Sequence, residues 1–259
     1  DSWTAPAGKY DPAYDFVPVQ HVLAMSAEDF FTTANHLMEA NPPAEADAPM
    51  LQKLAALHVG PNETFEKKAL GFAGTLRWTL MLLQLKDKLK AEAANYAQQM
   101  GQWIYYGDPI GDFGTAYTYR AMVALMGLGA NTTDIAIYPK TEVDHTGAAL
   151  TGKKTYTLHF DSFPPTLEKG FWSVTAYGKD DFLIDNPIDR YCINDRSVLN
   201  RNADDSVDVT LSHAMPENTE NWLPIGETEF HLFLRIYKPD WNALRGWQPP
   251  TVCVKSTQI

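Results

Sequence analysis

The feature that most constrains the fold is a change of hydrophobic periodicity near residue 132. Before it, apolar residues recur at the spacing of amphipathic helices, as in Phe30, Ala34, Leu37 and Met38. After it, polar and apolar residues alternate, which is typical of half-buried strands. The alternating segments are residues 154–160, 170–178, 207–213 and 229–238. The sequence therefore predicts a helical first half followed by a β-sheet half.

Local signals set the ends of the predicted helices. Ser26, followed by Asp29, has the spacing of an N-terminal cap, and the Asn41–Pro43 stretch ends that helix. Further helices are predicted after Asp47, within Phe65–Met100, and from Thr115 to Gly127.

Several short strands without long helices between them predict an antiparallel sandwich. Shorter strands are expected at 135–138, 182–184, 188–193 and 252–254. The predicted fold class is α+β. We divide the chain into an extended linker at 1–20, a helical region at 21–131 and an antiparallel β-sandwich at 132–259.

Charge and motifs exclude several functional classes. The net charge of −11 repels nucleic acid, and no run of about 18 apolar residues predicts a membrane span. The sequence has no metal-binding, phosphate-binding or dinucleotide-binding motif. We therefore predict neither a metal nor a cofactor.

Weak signals indicate an extracytoplasmic or secreted glycoprotein. Asn62 and Asn131 begin glycosylation sequons. The first residues, DSWTAPAGKYDP, lack an initiator Met and are not a signal peptide, so we interpret them as a mature or trimmed terminus. The two cysteines, Cys192 and Cys253, are either one disulfide or two buried free thiols.

The candidate site residues come from strand alternation. His231, Arg235 and Tyr237 share the face of their strand opposite the apolar row. Such a face binds a sugar or another polar ligand, or packs against the helical half. His213 is expected at the end of a core-facing row, and His159 on the polar side of its strand.

The stretch NPIDRYCINDR, residues 186–196, combines two arginines with two aspartates. If Ile188–Asn194 is a strand, Arg190 lies in line with apolar neighbours and needs a partner. Asp181, Asp185 and Asp195 are the nearby carboxylates. The alternative is that Arg190 binds a ligand carboxylate or phosphate.

Motifs spread along the chain resemble domain-of-unknown-function family 1214. They include GTAYTYRAMVALMGLGAN, FWSVTAYGKDDFLIDNPIDRYCINDR, NWLPIGETEFHLFLRIYKPD and GWQPPTV. The resemblance implies a jelly-roll or lectin-like sandwich and no established activity. It also implies that this region normally follows a module of family 1254, which is missing here.

The resemblance also indicates which residues correspond to the family's polar motifs. Those that match the family's polar motifs are Tyr117, Arg120, Asn186, Arg190, Tyr191, Asp195, Arg196, His213, Asn221, Trp222, Arg235 and Tyr237. The family's usual RYSIGDR is replaced here by a stretch that carries Cys192 and Asn194, and Cys253 is also atypical. Two atypical cysteines together favour a disulfide between them.

Three functions remain open, and the sequence does not decide whether the protein is an enzyme. The first is glycan or polar-ligand binding by Arg190, Tyr191, Arg196, His231, Arg235, Tyr237, Tyr117 and Arg120. The second is hydrolysis by His213 or His159, with Asp195 and an arginine. The third is an assembly module that packs against the family's N-terminal module, as a separate chain or domain. A homo-oligomer is compatible with each of these.

Overall fold

The computed structural model describes Pro12 and residues 15–255 and divides the chain into two compact units, residues 1–88 and 89–259. Its mixture of helices and sheets confirms the α+β class. The predicted division into 1–20, 21–131 and 132–259 follows secondary-structure content rather than compact units, and it stays a prediction.

The first unit is helical. Its helices are α1 (Pro18–Ala24), α2 (Ala27–Ala40), α3 (Ala48–Leu54) and the greater part of α4 (Gly71–Ala94). Ser26 Oγ accepts a hydrogen bond from the Asp29 amide at 3.0 Å, which confirms the predicted start of α2. The buried Asn35 donates to the carbonyls of His58 and Glu63 and accepts from the Gly60 amide. This one side chain therefore holds the turn before α4 against α2.

The helix predicted to run through Met100 ends at Ala94. Strands β1 (Ala97–Met100) and β2 (Trp103–Tyr106) follow as a hairpin. Gly101 has φ +60°, a left-handed conformation that suits glycine at a tight turn. The helical prediction was therefore wrong for residues 97–100, because the turn and the β-forming residues after it outweigh the periodicity before it.

The remaining elements of the second unit are helix α5, two sheets and a short helix α6. Their bounds are α5 (Tyr117–Met126), β3 (Ala136–Ile137), β4 (Lys140–Thr141), β5 (Tyr156–Phe160), β6 (Thr166–Gly178), β7 (Cys192–Asn194), β8 (Val207–Ser212), β9 (Trp222–Pro224), β10 (Phe230–Pro239), α6 (Trp241–Leu244) and β11 (Thr251–Val254). The larger sheet has the order β1-β2-β4-β10-β6-β7, with β3 also on β10, and the smaller sheet is β11-β5-β8-β9. The pair β8–β9 is parallel, so the second sheet is mixed rather than purely antiparallel.

The core lies between the inward faces of the two sheets. Phe230, Leu232, Leu234 and Ile236 of β10 are buried, as their alternation predicted. Across the core, the Phe160 ring lies 5.3 Å from that of Trp172. Each large apolar side chain buried in this way contributes about 1.5–3 kcal/mol. The jelly-roll connectivity stays a prediction.

The NPIDRYCINDR stretch is mostly turn. Only Cys192–Asn194 forms a strand, so the strand predicted over 188–193 was wrong in its first half. Asn186 Oδ1 accepts from the Arg190 amide, and Asn186 Nδ2 donates to the Arg190 carbonyl. Asp189 has φ +50° inside this turn. The asparagine thus supplies the hydrogen bonds that a neighbouring strand would otherwise provide.

Candidate ligand-binding groove

The second unit contains a groove of about 330 Å³ that aromatic side chains line. Tyr105 comes from β2, Trp241 from α6, and Trp247 from the segment before β11. The other lining residues are Gln99, Met100, Gly101, Leu244, Arg245, Gln248 and Pro249. Three separate parts of the chain therefore meet in this groove.

Hydrogen bonds anchor the two indole rings. Trp241 Nε1 donates to the Thr133 carbonyl and Trp247 Nε1 to the Ser162 carbonyl, both at 3.1 Å. Asp240 caps α6 by accepting from the Asn242 and Ala243 amides. Because the indole donors are satisfied within the protein, a ligand meets fixed rings rather than unpaired N–H groups.

The β1–β2 turn forms one wall of the groove. A Cβ atom on Gly101 would lie 2.9 Å from Pro249 Cγ, so this turn and the segment before β11 are in close contact. Burial, followed by the charge of Asp108, raises the pKa of Tyr105 above its usual value. Like an ordinary tyrosine, Tyr105 is protonated near neutral pH, and its hydroxyl is able to donate a hydrogen bond.

The polar lining residues are two amides and a guanidinium. Gln99, Gln248 and Arg245 are exposed, and no carboxylate belongs to the described lining. Within residues 15–255, Arg245 forms no ion pair. The groove therefore offers flat apolar surfaces, neutral hydrogen-bonding groups and one cation.

Our choice of site residues from the sequence missed this groove. The sequence DWNALRGWQPP, residues 240–250, does carry a signal: two tryptophans six positions apart with an arginine between them. Nothing in that spacing shows that Tyr105 joins them, since residue 105 lies far away in the sequence.

Three predicted residues share one face of a strand elsewhere in this unit. His231, Arg235 and Tyr237 lie on the outward face of β10, opposite the core row. Their cross-strand neighbours on β6 are Tyr177, Ser173 and Phe171, respectively.

Arg190 lies apart from these residues. Its Nη1 atom donates to the carbonyls of Thr219, Glu220 and Trp222 at 2.5, 3.0 and 2.9 Å. The expected carboxylate partner was therefore wrong, because backbone carbonyls of the segment that leads into β9 satisfy the guanidinium.

The remaining predicted binding residues are scattered. The Tyr191 hydroxyl donates to Asp189, and the Arg196 side chain is exposed in the turn after β7. Tyr117 and Arg120 lie on α5, with the guanidinium carbon 5.0 Å from the Tyr117 ring. None of these four residues lines the groove.

The catalytic candidates lie outside the groove lining. His213 is exposed just beyond β8, 3.2 Å from Glu227 Oε1, so it does not end a core-facing row as expected. His159 lies between Asp208 Oδ1 at 2.6 Å and Asp161 Oδ1 at 3.0 Å. Asp195 is exposed in the turn after β7. A second open groove, of about 440 Å³, has no histidine in its lining.

His159 is expected to make the stability of the protein depend on pH. The hydrogen bond to Asp208, supported by Asp161, raises the pKa of His159, although burial opposes the shift. A raised folded pKa means that the protonated pair stabilises fully below about pH 6.5, and that this stability is lost as the pH rises through the folded pKa. We expect the His159→Gln variant to unfold more easily than the parent at about pH 6, by less than about 1 kcal/mol because the pair is partly exposed, and to approach the parent at about pH 9. Urea unfolding at both pH values measures the difference in free energy of unfolding between the variant and the parent. The same difference at both pH values would contradict the expected pH dependence.

The cysteines and sequons have definite positions. Cys192 is on β7 of the larger sheet and Cys253 on β11 of the smaller one, and both are free, so the expected disulfide is absent. Asn62 and Asn131 are exposed, and Asn131 Nδ2 donates to the Tyr138 hydroxyl. Glycosylation at these sites stays a prediction.

Neither a metal-binding cluster nor a membrane-spanning helix occurs among the described residues. No described group of three or more His, Cys, Asp or Glu residues is arranged to hold a metal ion. No described helix has both the length and the apolar character to cross a membrane.

Helix α4 carries an exposed apolar stripe. Phe72, Leu76, Leu80 and Leu83 are 89, 53, 53 and 76% exposed. They recur at helical spacing on one side of the helix. A module that packs against another domain needs such a patch, and the partner itself stays a prediction.

Comparison with known proteins finds a family match for part of the chain. Residues 135–241, less than half of the sequence, match the family described as "Protein of unknown function (DUF1214)". The 1254 module stays a prediction. No curated protein matches the sequence significantly.

One solved structure supports the fold. The VPA0106 protein from Vibrio parahaemolyticus is similar with a TM-score of 0.60 and 23% identity, over 98% of this chain and 59% of that chain. The chain therefore spans less than two thirds of that protein's length. An uncharacterized protein from Burkholderia cenocepacia has a TM-score of 0.32 and 13% identity, over 86% of this chain and 54% of that one.

Proposed function

We propose that the second unit binds a sugar in the groove lined by Tyr105, Trp241 and Trp247. The observation that carries the proposal is the presence of three aromatic rings, two of them anchored through their indole N–H groups, around a groove that also holds amide and guanidinium groups.

The chemistry of a sugar ring fits this combination. A sugar has an apolar face of C–H groups, which packs on an aromatic ring, and hydroxyls at its edge, which need hydrogen-bond partners. Gln99, Gln248 and Tyr105 offer neutral donors and acceptors. The groove volume lies near the lower end of the range for small-ligand sites, about 300–1,000 Å³.

The positive charge of Arg245 limits which sugars are expected to bind in the groove. Arg245 is the charged residue of the described lining. A guanidinium binds a carboxylate in a bidentate fashion. We therefore expect neutral sugars and uronic acids to bind, and aminosugars with a free ammonium group to bind worse.

Exposed side chains give a test that leaves the fold intact. A glycan array identifies the sugar, and calorimetry then measures its affinity for the parent and for the Arg245→Ala and Gln248→Ala variants. We expect each variant to bind about tenfold more weakly, because each loses a hydrogen bond that contributes about 1–1.5 kcal/mol.

Phe182→Ala is the matched control. Phe182 is an exposed aromatic residue that lines the other groove rather than this one. Its loss should leave the affinity unchanged. The proposal fails if the array gives no ligand, or if Phe182→Ala weakens binding as much as Arg245→Ala does.

The hydrolase alternative would need a different location. Neither a histidine nor a carboxylate belongs to the described lining of the groove, and His159, which has two carboxylate neighbours, lies outside it. Hydrolysis therefore remains an untested prediction, and the groove favours binding.

A further inference from the structure

One side of helix α4 is covered by the protein itself. Trp78, Leu85 and Leu89 lie within an arc of about 40° of the helix and are half-buried or buried. The Trp78 ring contacts the Phe31 ring of α2, with the two ring centroids 5.2 Å apart. This side of α4 therefore behaves as the core-facing side of an amphipathic helix.

The opposite side of α4 is also apolar. The α4 stripe, defined as Phe72, Leu76, Leu80 and Leu83, spans an arc of about 80° that is centred about 180° from the covered side. All four residues of the stripe are exposed. A helix that is apolar on two opposite sides is typical of one packed between two partners, and the described residues cover only one of these sides.

The stripe is large enough for a weak interface. It spans residues 72–83 and is about 17 Å long at 1.5 Å per residue. If a fully exposed large side chain offers about 150–200 Å², the exposed fractions of the four residues amount to about 400–550 Å². A stable interface buries about 800 Å² on each partner. The stripe and its polar flanks approach this area, so the expected contact is reversible rather than permanent.

A second copy of α4 fits the stripe when the two helices run antiparallel. The stripe residues follow one another at steps of four, four and three. Reversing the direction of one helix therefore places Phe72 opposite Leu83 of the other copy and Leu76 opposite Leu80 of the other copy. Each exposed apolar residue then meets another apolar residue along the whole stripe, so the stripe is self-complementary.

Charged residues beyond the two ends of the stripe also favour the antiparallel arrangement. Asp87 and Lys90 continue the stripe side after Leu83, Glu66 and Lys68 lie just before the helix, and all four charged residues are exposed. Antiparallel pairing brings Asp87 to the level of Lys68 of the other copy, and Lys90 to the level of Glu66. Parallel pairing would place each charge beside its own equivalent, which is unfavourable.

We propose that the α4 stripe is the interface of an antiparallel homodimer of this protein. Burial of the four apolar side chains drives the association, and the charged residues at the ends of the stripe set its direction. No stripe residue lines the sugar groove, so the proposal does not depend on the sugar-binding function.

Analytical ultracentrifugation of the whole chain tests for the dimer. We expect the mass to rise from that of one 29.0 kDa chain toward twice that value between about 1 and 200 μM. Leu76→Asp and Leu83→Asp should each remain monomeric over this range, because each places a carboxylate in the apolar contact. Both positions are exposed, so the fold should persist, and circular dichroism verifies that it does.

Leu128→Asp is the matched control, since Leu128 is an exposed leucine outside α4. It should dimerise like the parent. The proposal is overturned if the parent stays monomeric at every concentration, or if Leu83→Asp dimerises as well as the parent does. It is also overturned if Leu128→Asp weakens the dimer as much as Leu83→Asp.

Crosslinking through single cysteines tests the direction of the pairing. The native cysteines are first replaced, as Cys192→Ser and Cys253→Ser. In the antiparallel dimer the two copies of residue 76 lie about 5 Å apart along the helix axis, and those of residue 72 about 17 Å apart. A short bis-maleimide should therefore crosslink Leu76→Cys with itself much more than Phe72→Cys with itself. Equal crosslinking of both would indicate parallel helices and overturn the antiparallel arrangement.

Discussion

Replacing Arg190 with alanine is expected to lower the free energy of unfolding by about 3 kcal/mol. The Arg190 guanidinium holds the carbonyls of Thr219, Glu220 and Trp222, and so joins the turn before β7 to the segment that enters β9. A hydrogen bond from a charged group contributes about 1.5–3 kcal/mol, and carbonyls left partly buried without a donor add a further cost. Solvent reaches part of this cluster, so the sum stays below three full contributions.

Two variants make this expectation specific to the guanidinium. Arg190→Lys keeps the charge, but a single ammonium cannot reproduce the same contacts, so we expect it to restore less than half of the loss. Arg196→Ala removes the exposed arginine of the same stretch and should cost less than about 0.5 kcal/mol. Urea unfolding measures the free energy of unfolding of all three variants. Equal losses for Arg190→Ala and Arg196→Ala would contradict a stabilising role of the Arg190 guanidinium.

The largest loss of stability is expected for Trp103→Ala. Trp103 is completely buried, and its indole Nε1 donates to the Pro250 carbonyl at 2.7 Å. Removing the ring leaves a cavity and an unpaired carbonyl, at a cost of about 3–5 kcal/mol. Because Trp103 belongs to the β1–β2 hairpin, this variant tests whether the hairpin is part of the core between the two sheets.

Ile104 provides the matched control for Trp103. It is the next residue on the same strand and is 48% exposed, so Ile104→Ala should cost less than about 1 kcal/mol. Trp103→Phe keeps most of the ring but loses the hydrogen bond, and should fall between the two. Thermal or urea unfolding gives these values. A loss below about 1 kcal/mol for Trp103→Ala would mean that the hairpin contributes little to the core.

The core between the two sheets was predictable because strand alternation is a local property. The outward and inward faces of β10 follow from its sequence, since successive side chains of a strand point to opposite sides. The capping of α2 by Ser26 was predictable for the same reason, because the capping residue and its partner are three positions apart.

The groove and the hydrogen bonds of Arg190 were not predictable, because each depends on contacts between distant parts of the chain. Tyr105 meets Trp241 only once β2 has joined the larger sheet, and their rings then lie 6.2 Å apart. Arg190 contacts carbonyls about 30 residues further along the chain, and a carbonyl has no sequence signature. The hairpin was missed because the preceding helix pattern extends up to it.

The most direct test of the proposed sugar-binding function is a crystal structure with the sugar that gives the strongest signal on a glycan array. We predict that the sugar ring packs against Trp241 or Trp247, with hydroxyls or a carboxylate within hydrogen-bond distance of Gln248 and Arg245. A sugar bound anywhere else on the second unit, with this groove left empty, would contradict the proposal.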